Sequence, residues 1–254
     1  MDMPVNRLKR ALLAGDQQIG CWLSLGSHAS AEICASAGFD WVLIDTEHAP
    51  VDIPQLHHQL HAAAAYPASI AARAYWNDTV LIKRLLDLGV QSLLLPYVQS
   101  AEEARRAAAA VRYPPRGVRG VSANSRSNRF GRVTDYFKHA DDEVCLMVQV
   151  ETRHAVSQIE AMAAVDGIDV LFIGPQDLAA DYGHLGNPGH PEVQAAMADA
   201  IARIRKTGKI AGILAFAEAD AKKWLAAGAQ FVAVTSDQFL LSRATDAVVK
   251  AFRS

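Results

Sequence analysis

Asp45, Glu47 and His48 stand within four positions of one another, directly after the apolar run Trp41, Val42, Leu43, Ile44. Two carboxylates and an imidazole gathered at one spot can hold a proton, pass it on or help bind a metal ion. Further along, Arg73 closes a short run A-A-R, Gln149 and Glu151 end V-Q-V-E, and Asp177 follows Gly174 and Pro175. A carboxylate pair such as Glu151 and Asp177 suits a hard divalent ion such as Mg2+ or Mn2+, which keeps waters and accepts substrate oxygens. Arg73 either balances these carboxylates or grips an anionic substrate through its planar fork. His48, with Asp45 in reach to orient its ring, has the makings of a general base. Each residue alone also has a plainer explanation, with the acids as helix caps and His48 as a loop histidine.

The elements that must position them decide between these explanations. Residues 41–44 suit a strand buried on both faces, and similar apolar runs fall at 19–25, 69–73, 92–95, 145–151, 170–173, 210–214 and 231–235. Between them lie alanine-rich amphipathic stretches at 29–37, 53–65, 80–88, 155–164, 192–206, 218–227 and 240–252, the first closed by Gly38 and the third by Gly89. About eight β/α units with no linker imply an α/β fold, a single (β/α)8 barrel forming one domain over residues 1–254. A doubly wound open sheet is the alternative, but no G-x-G-x-x-G or G-x-x-x-x-G-K-[ST] follows any strand. In a barrel all strands point their C-terminal ends at one face, so Asp45, Glu47, His48, Arg73, Gln149, Glu151 and Asp177 become neighbours. Trp22, Gln176 and Leu214, also near strand ends, are expected to line the substrate pocket.

Composition narrows the partners. With 25 basic and 27 acidic residues and a formal charge of -2, nothing suggests nucleic acid or an anionic membrane. Cys21, Cys34 and Cys145 are far apart and form no C-x-x-C, which fits a reducing cytoplasm rather than a disulfide framework. The N-terminal residues lack a signal-peptide core, and no stretch approaches the ~20 apolar residues of a membrane span. A small-molecule substrate and a cytoplasmic setting are expected. Residues 113–143, rich in Pro, Gly, Ser, Asn and Arg, read as a functional loop or an interface with room for a short helix around Tyr136. His57, His58 and His61 read as a solvated helix face, and residues 182–191 as a turn-rich lead into a helix whose histidines lack acidic neighbours of ligand type. No Gly-rich loop follows the last two strands, which argues against a phosphate ester.

The segments G-F-D-W-V-L-I-D-T-E-H-A-P, A-A-R-A-Y-W-N-D, R-Y-P-P-R-G-V-R-G, V-Q-V-E-T-R and F-I-G-P-Q-D-L resemble the metal-dependent (class II) pyruvate aldolase family, over almost the whole chain. The resemblance implies retro-aldol cleavage of 4-hydroxy-2-oxo acids, such as 4-hydroxy-2-oxoheptanedioate, to pyruvate and an aldehyde, within aromatic catabolism. It implies that Glu151 and Asp177 ligate Mg2+, Mn2+ or Co2+. Arg73 would hold the ketone oxygen, with Gln149 beside the ketoacid and Glu47 near metal-bound waters. His48, oriented by Asp45, would take the proton from the C4 hydroxyl. A homo-oligomer, a hexamer exchanging the last helix, is implied as well. Gln176, Thr46, Thr235 and Ser236 depart from the family pattern around the pocket, which leaves the aldehyde open. A Schiff-base aldolase is disfavoured because no lysine falls at a strand's C-terminal end. The competing readings are a sugar-acid (2-keto-3-deoxy) aldolase, a citrate-lyase-type enzyme on acyl-thioesters, or a barrel that binds a ketoacid without turnover. The second would need Arg116, Arg119, Arg126, Arg129 and Arg132 for a coenzyme diphosphate.

Overall fold

A computed structural model describes residues 1–253. The strands are β1 (Gln18–Leu23), β2 (Trp41–Asp45), β3 (Ser69–Arg73), β4 (Ser92–Leu95), β5 (Cys145–Val150), β6 (Val170–Ile173), β7 (Ile210–Leu214) and β8 (Phe231–Ser236). Each pairs in parallel with the next, and β8 returns to β1, so the sheet closes into the expected (β/α)8 barrel.

Side chains alternate across these strands, and both faces are apolar. One series, Trp22, Trp41, Leu43, Ala71, Leu94, Met147, Phe172, Phe231 and Ala233, packs inside the barrel. The other, including Cys21, Val42, Ile44, Leu93, Leu146, Leu171 and Val232, packs against the surrounding helices. Size is matched across the interior. A Cβ on Gly20 would lie 2.0 Å from the Trp41 ring, so the missing side chain makes room for an indole that stacks on Phe231 at 4.0 Å. Below, the helix Arg7–Ala14 inserts Leu8 and Leu12 into the same interior cluster and closes the barrel's floor. The sequence reading had omitted that helix, although its signals are present: Asn6 caps it, Leu8 and Leu12 share one face, and Gly15 ends it.

Two other elements differ from expectation. The stretch read as one helix at 155–164 is two short helices, Arg153–Ser157 and Ile159–Ala163, meeting at Gln158. After β6 a short helix, Pro175–Asp181, precedes the long one, Pro191–Lys206. Gly38 stands in the left-handed conformation, φ +97°, just past the helix His28–Ser36, as expected.

Residues 111–144 run along the opposite end of the barrel from the strands' C-termini, and include the short helix Tyr136–His139. The segment is tied there by Ser127 N to Asp87 O at 3.1 Å and by Asn6 N to Glu143 Oε2 at 2.6 Å. Within it, buried Arg119 stacks on Tyr113 at 4.4 Å and reaches Asp87 at 3.6 Å. The C-terminal helix, Asp237–Arg253, leaves the barrel: Leu240, Leu241, Val248, Val249 and Phe252 are all exposed. Among the described residues no helix is long and apolar enough to cross a membrane.

Candidate active site

Continuing the inward series to the strand ends builds the site. On β2, Trp41 and Leu43 lead to Asp45; on β3, Ala71 leads to Arg73; on β5, Cys145 and Met147 lead to Gln149 and then Glu151. The register of β2 and β3 places Asp45 directly beside Arg73.

That pairing fixes the first half of the site. Arg73 Nε donates to Asp45 Oδ1 at 2.8 Å and Nη2 to Asp45 Oδ2 at 2.6 Å, a two-point fork between buried partners. Trp22 Nε1 adds a bond to Oδ2 at 3.2 Å, and the Glu47 and His48 backbone N–H groups point at Oδ1. Burial opposes the charge on Asp45, but its hydrogen bonds to Arg73 and the guanidinium charge outweigh it and hold the carboxyl below the usual carboxylate range. Thr46 Oγ1 donates to Arg73 O at 2.6 Å and pins the turn. The guanidinium rests over the Trp22 ring at 5.0 Å, and its Nη1 lies 2.8 Å from Glu47 Oε2. That contact is an ion pair without hydrogen-bond geometry, so Glu47 Oε2 is a buried oxygen lacking a hydrogen-bond donor. Burial raises the Glu47 carboxyl, and the charges of Arg73 and His48 only partly offset it.

Glu151 anchors the second half. Its Oε1 accepts the Tyr97 N–H at 2.7 Å, and its Oε2 accepts Gln149 Nε2. Burial pushes this carboxyl up to about 7, with the negative charge of Asp177 adding to the effect. Asp177 stands exposed in the first turn of the helix Pro175–Asp181. Between the two, Gly174 is a clearance: a Cβ there would lie 2.6 Å from Glu151 Oε2 and 3.0 Å from Gln149 Nε2.

These residues fit a hard divalent cation. Two carboxylates of like charge converge, and the buried oxygens Glu47 Oε2 and Gln149 Oε1 lack hydrogen-bond donors. Among the described residues, however, the one group of three side chains within 4.8 Å that could hold a metal is His184, His190 and Glu192, outside this site.

Other expectations are met or corrected by position. Trp22 is buried at the mouth, Leu214 lies partly buried against the interior cluster, and Gln176 is exposed. Asp45 does not orient the His48 ring, because both its oxygens are taken by Arg73 and Trp22. The ring's nearest carboxylate is instead Glu47, 3.9 Å from Nε2, and the side chain is 67% exposed, open to a ligand at the mouth. Nor do the histidines of residues 182–191 lack an acidic neighbour: Glu192 is 2.9 Å from His184. Tyr97 was missed altogether. It contributes a backbone N–H from a strained φ of +53°, and no residue type announces such a role.

An acidic and basic constellation at the C-terminal strand ends of a closed parallel barrel defines a (β/α)8-barrel enzyme. The chain belongs to the HpcH/HpaI aldolase/citrate lyase family, whose profile matches residues 18–244. It is thereby a carbon–carbon lyase. A pyruvate aldolase from Rhizobium etli is 54% identical over 252 residues, covering 99% of both chains. A 4-hydroxy-2-oxo-heptane-1,7-dioate aldolase from Klebsiella pneumoniae is also 54% identical, covering 97% of this chain and 94% of its own. The crystal structure of a family member from Burkholderia cenocepacia superposes with a TM-score of 0.95 at 39% identity, covering 98% and 100% of the two chains.

Proposed function

We propose that this chain is a divalent-metal-dependent aldolase that reversibly cleaves 4-hydroxy-2-oxo acids to pyruvate and an aldehyde. The observation that carries this reading is the Asp45–Arg73–Glu47 array facing Glu151 and Asp177 across one barrel mouth. Glu151 and Asp177 would hold Mg2+, Mn2+ or Co2+, which when bound supplies positive charge to polarise the 2-oxo carbonyl.

The protein's own groups do the rest. Asp45 fixes the guanidinium plane, and the N–H groups left on Arg73 Nη1 and Nη2 meet the ketone oxygen, where negative charge develops. A preorganised donor of this kind is worth about 3 kcal/mol in the transition state. His48 takes the proton of the C4 hydroxyl as the C3–C4 bond breaks. The bonding pair moves into C2–C3, C4 departs as the aldehyde carbonyl, and C3 is then protonated to give pyruvate. Glu47, beside both His48 and Arg73, balances the imidazolium that forms. Trp22, Gln149, Gln176 and Leu214 would line the substrate. Of two relatives equally similar to this chain, one is named for pyruvate alone and the other for 4-hydroxy-2-oxo-heptane-1,7-dioate, so overall likeness does not fix the aldehyde, and residues at the mouth such as Gln176 are where the choice would be made. A sugar-derived hydroxyaldehyde therefore competes with succinic semialdehyde.

The thioester reading is weakened by place. Its arginines belong to the segment at the opposite end of the barrel, where Arg119 and Arg126 are engaged with Asp87 and Leu88 O. We further propose a cytoplasmic, single-domain subunit in a hexamer that exchanges the C-terminal helix. The deciding experiment follows pyruvate release from 4-hydroxy-2-oxo acids with a lactate dehydrogenase couple, before and after EDTA and on restoring metal. Loss with chelation and recovery with Mg2+, Mn2+ or Co2+ is expected; metal-independent release would overturn the assignment of Glu151 and Asp177.

A further inference from the structure

Between the helices Pro175–Asp181 and Pro191–Lys206 the chain folds back on itself in tight turns. Gly183 and Gly186 adopt φ of +80° and +74°, and His184 N to Ala179 O at 2.8 Å, Asn187 N to His184 O at 2.9 Å and His190 N to Asn187 O at 3.1 Å hold the path. The result brings two imidazoles face to face: the His184 and His190 rings stack with centroids 3.4 Å apart and planes 17° from parallel. Glu192, in the first turn of the next helix, lies across their edge, with Oε2 2.9 Å from His184 Nε2. One ligand atom from each of the three residues lies within 4.8 Å of the others.

We propose that His184, His190 and Glu192 form a second metal site, for a borderline transition ion of the Zn2+ class. Two imidazole nitrogens and one carboxylate oxygen are a ligand set for such an ion, with an open position left for water. Bonds of about 2.0–2.2 Å place neighbouring ligand atoms about 3.3 Å apart, so the His184–Glu192 edge is already near the right length. An ion pair uses only His184 and Glu192, whereas a cation also engages the His190 ring; because imidazole lone pairs lie in the ring plane, the two stacked rings splay apart to share it. The carboxylate is also steadied from outside: Arg153 Nη2 lies 3.8 Å from Glu192 Oε1, stacks on Tyr182 at 4.2 Å and donates to Tyr182 O at 3.0 Å. The mouth pair, all oxygen, selects harder ions, so the two sites differ in chemistry as well as place. Bound metal clamps residues 182–191, the link out of the helix that carries Asp177, and its role is structural.

The test uses the untagged full-length chain carrying Glu151→Gln, stripped with chelator and titrated with Zn2+ and with Co2+. One equivalent of Zn2+, a raised melting temperature and the visible bands of tetrahedral Co2+ are expected. His184→Ala in that background should abolish all three, as should His190→Asn, which keeps a side-chain acceptor for the Glu192 N–H that His190 Nδ1 accepts at 3.3 Å as the N-cap of Pro191–Lys206. Arg153→Ala should weaken Zn2+ binding about tenfold. In the otherwise wild-type chain, His184→Ala should leave Mg2+-supported pyruvate release intact. No Zn2+ binding by the parent would reduce the cluster to an ion pair and overturn the proposal. Binding that survives both histidine variants would place the ligands elsewhere and overturn it as well. A failure of pyruvate release under every condition would instead strike the aldolase reading and leave this site untouched.

Discussion

Arg73 shows what residue chemistry decides and what it leaves to the fold. Its type and its place at a strand end are visible in the sequence, and so is the choice between balancing carboxylates and gripping a substrate. Its fork on Asp45 was not visible, because His48 lies closer to Asp45 in the chain and only the β2–β3 register brings Arg73 alongside. Arg73→Lys keeps the charge but cannot hold Asp45 at two points. Turnover should fall about 100-fold or more while the fold survives, and pyruvate release measured beside a melting curve checks both. A variant within a few-fold of wild type would remove the fork from the mechanism. Glu151 makes a second prediction, for the metal-free chain. A carboxyl raised to about 7 in the folded state binds its proton more tightly than in the unfolded chain. The penalty for its charge is therefore absent below the ordinary glutamate value of ~4.3 and complete above about 7. In EDTA, Glu151→Gln should raise the melting temperature at pH 8 and flatten its decline between those limits; with Mg2+ present the order should reverse. Equal melting temperatures for the two chains in EDTA at pH 8 would contradict the buried-charge account.

At the level of elements, strand periodicity was the most legible feature. Seven acidic, basic or amide side chains were assigned to the shared face from strand ends alone, and Asp45, Arg73, Gln149 and Glu151 indeed extend the inward series. Helix boundaries were less legible. The sequence R-H-A-V-S-Q-I-E-A-M-A-A contains no Gly or Pro, yet it breaks at Gln158, whose φ of -101° and ψ of 6° leave the helical region. Packing, not propensity, sets that break. The connection from β6 into its helix carries the third prediction. Gly174 has an ordinary φ of -96°, so alanine is allowed by the backbone, but its Cβ would intrude 2.6 Å from Glu151 Oε2. Gly174→Ala should weaken Mg2+ binding about tenfold or more and leave the melting curve of the metal-free chain little changed. Calorimetric titration with Mg2+ reads the first, and unaltered affinity would show that Glu151 does not need this clearance.

For the whole molecule, the barrel was countable from the sequence, but the direction of the last helix was not. Its apolar stripe, Ala244, Ala247, Val248 and Ala251, fits packing on its own barrel or on a neighbour's. The structure excludes the first: the helix is rooted by Asp237, which accepts Ser24 N at 2.8 Å and Ser30 Oγ at 2.8 Å, and every residue from Leu240 onward to Arg253 is exposed. A helix of 17 residues carrying exposed Leu240, Leu241, Val248, Val249 and Phe252 does not gain enough from propensity to stand alone in water. Its apolar face therefore belongs against another surface, and our proposed exchange between copies supplies one without altering the barrel. Val248→Asp with Phe252→Asp places charge on that face far from the catalytic mouth, so the two effects separate. The wild-type chain should run as an oligomer in size exclusion with light scattering, and the double variant should shift to smaller species with its circular dichroism preserved. A monomeric wild type would sink the exchange, and so would a variant whose assembly is unchanged, since a buried apolar helix face does not tolerate two carboxylates.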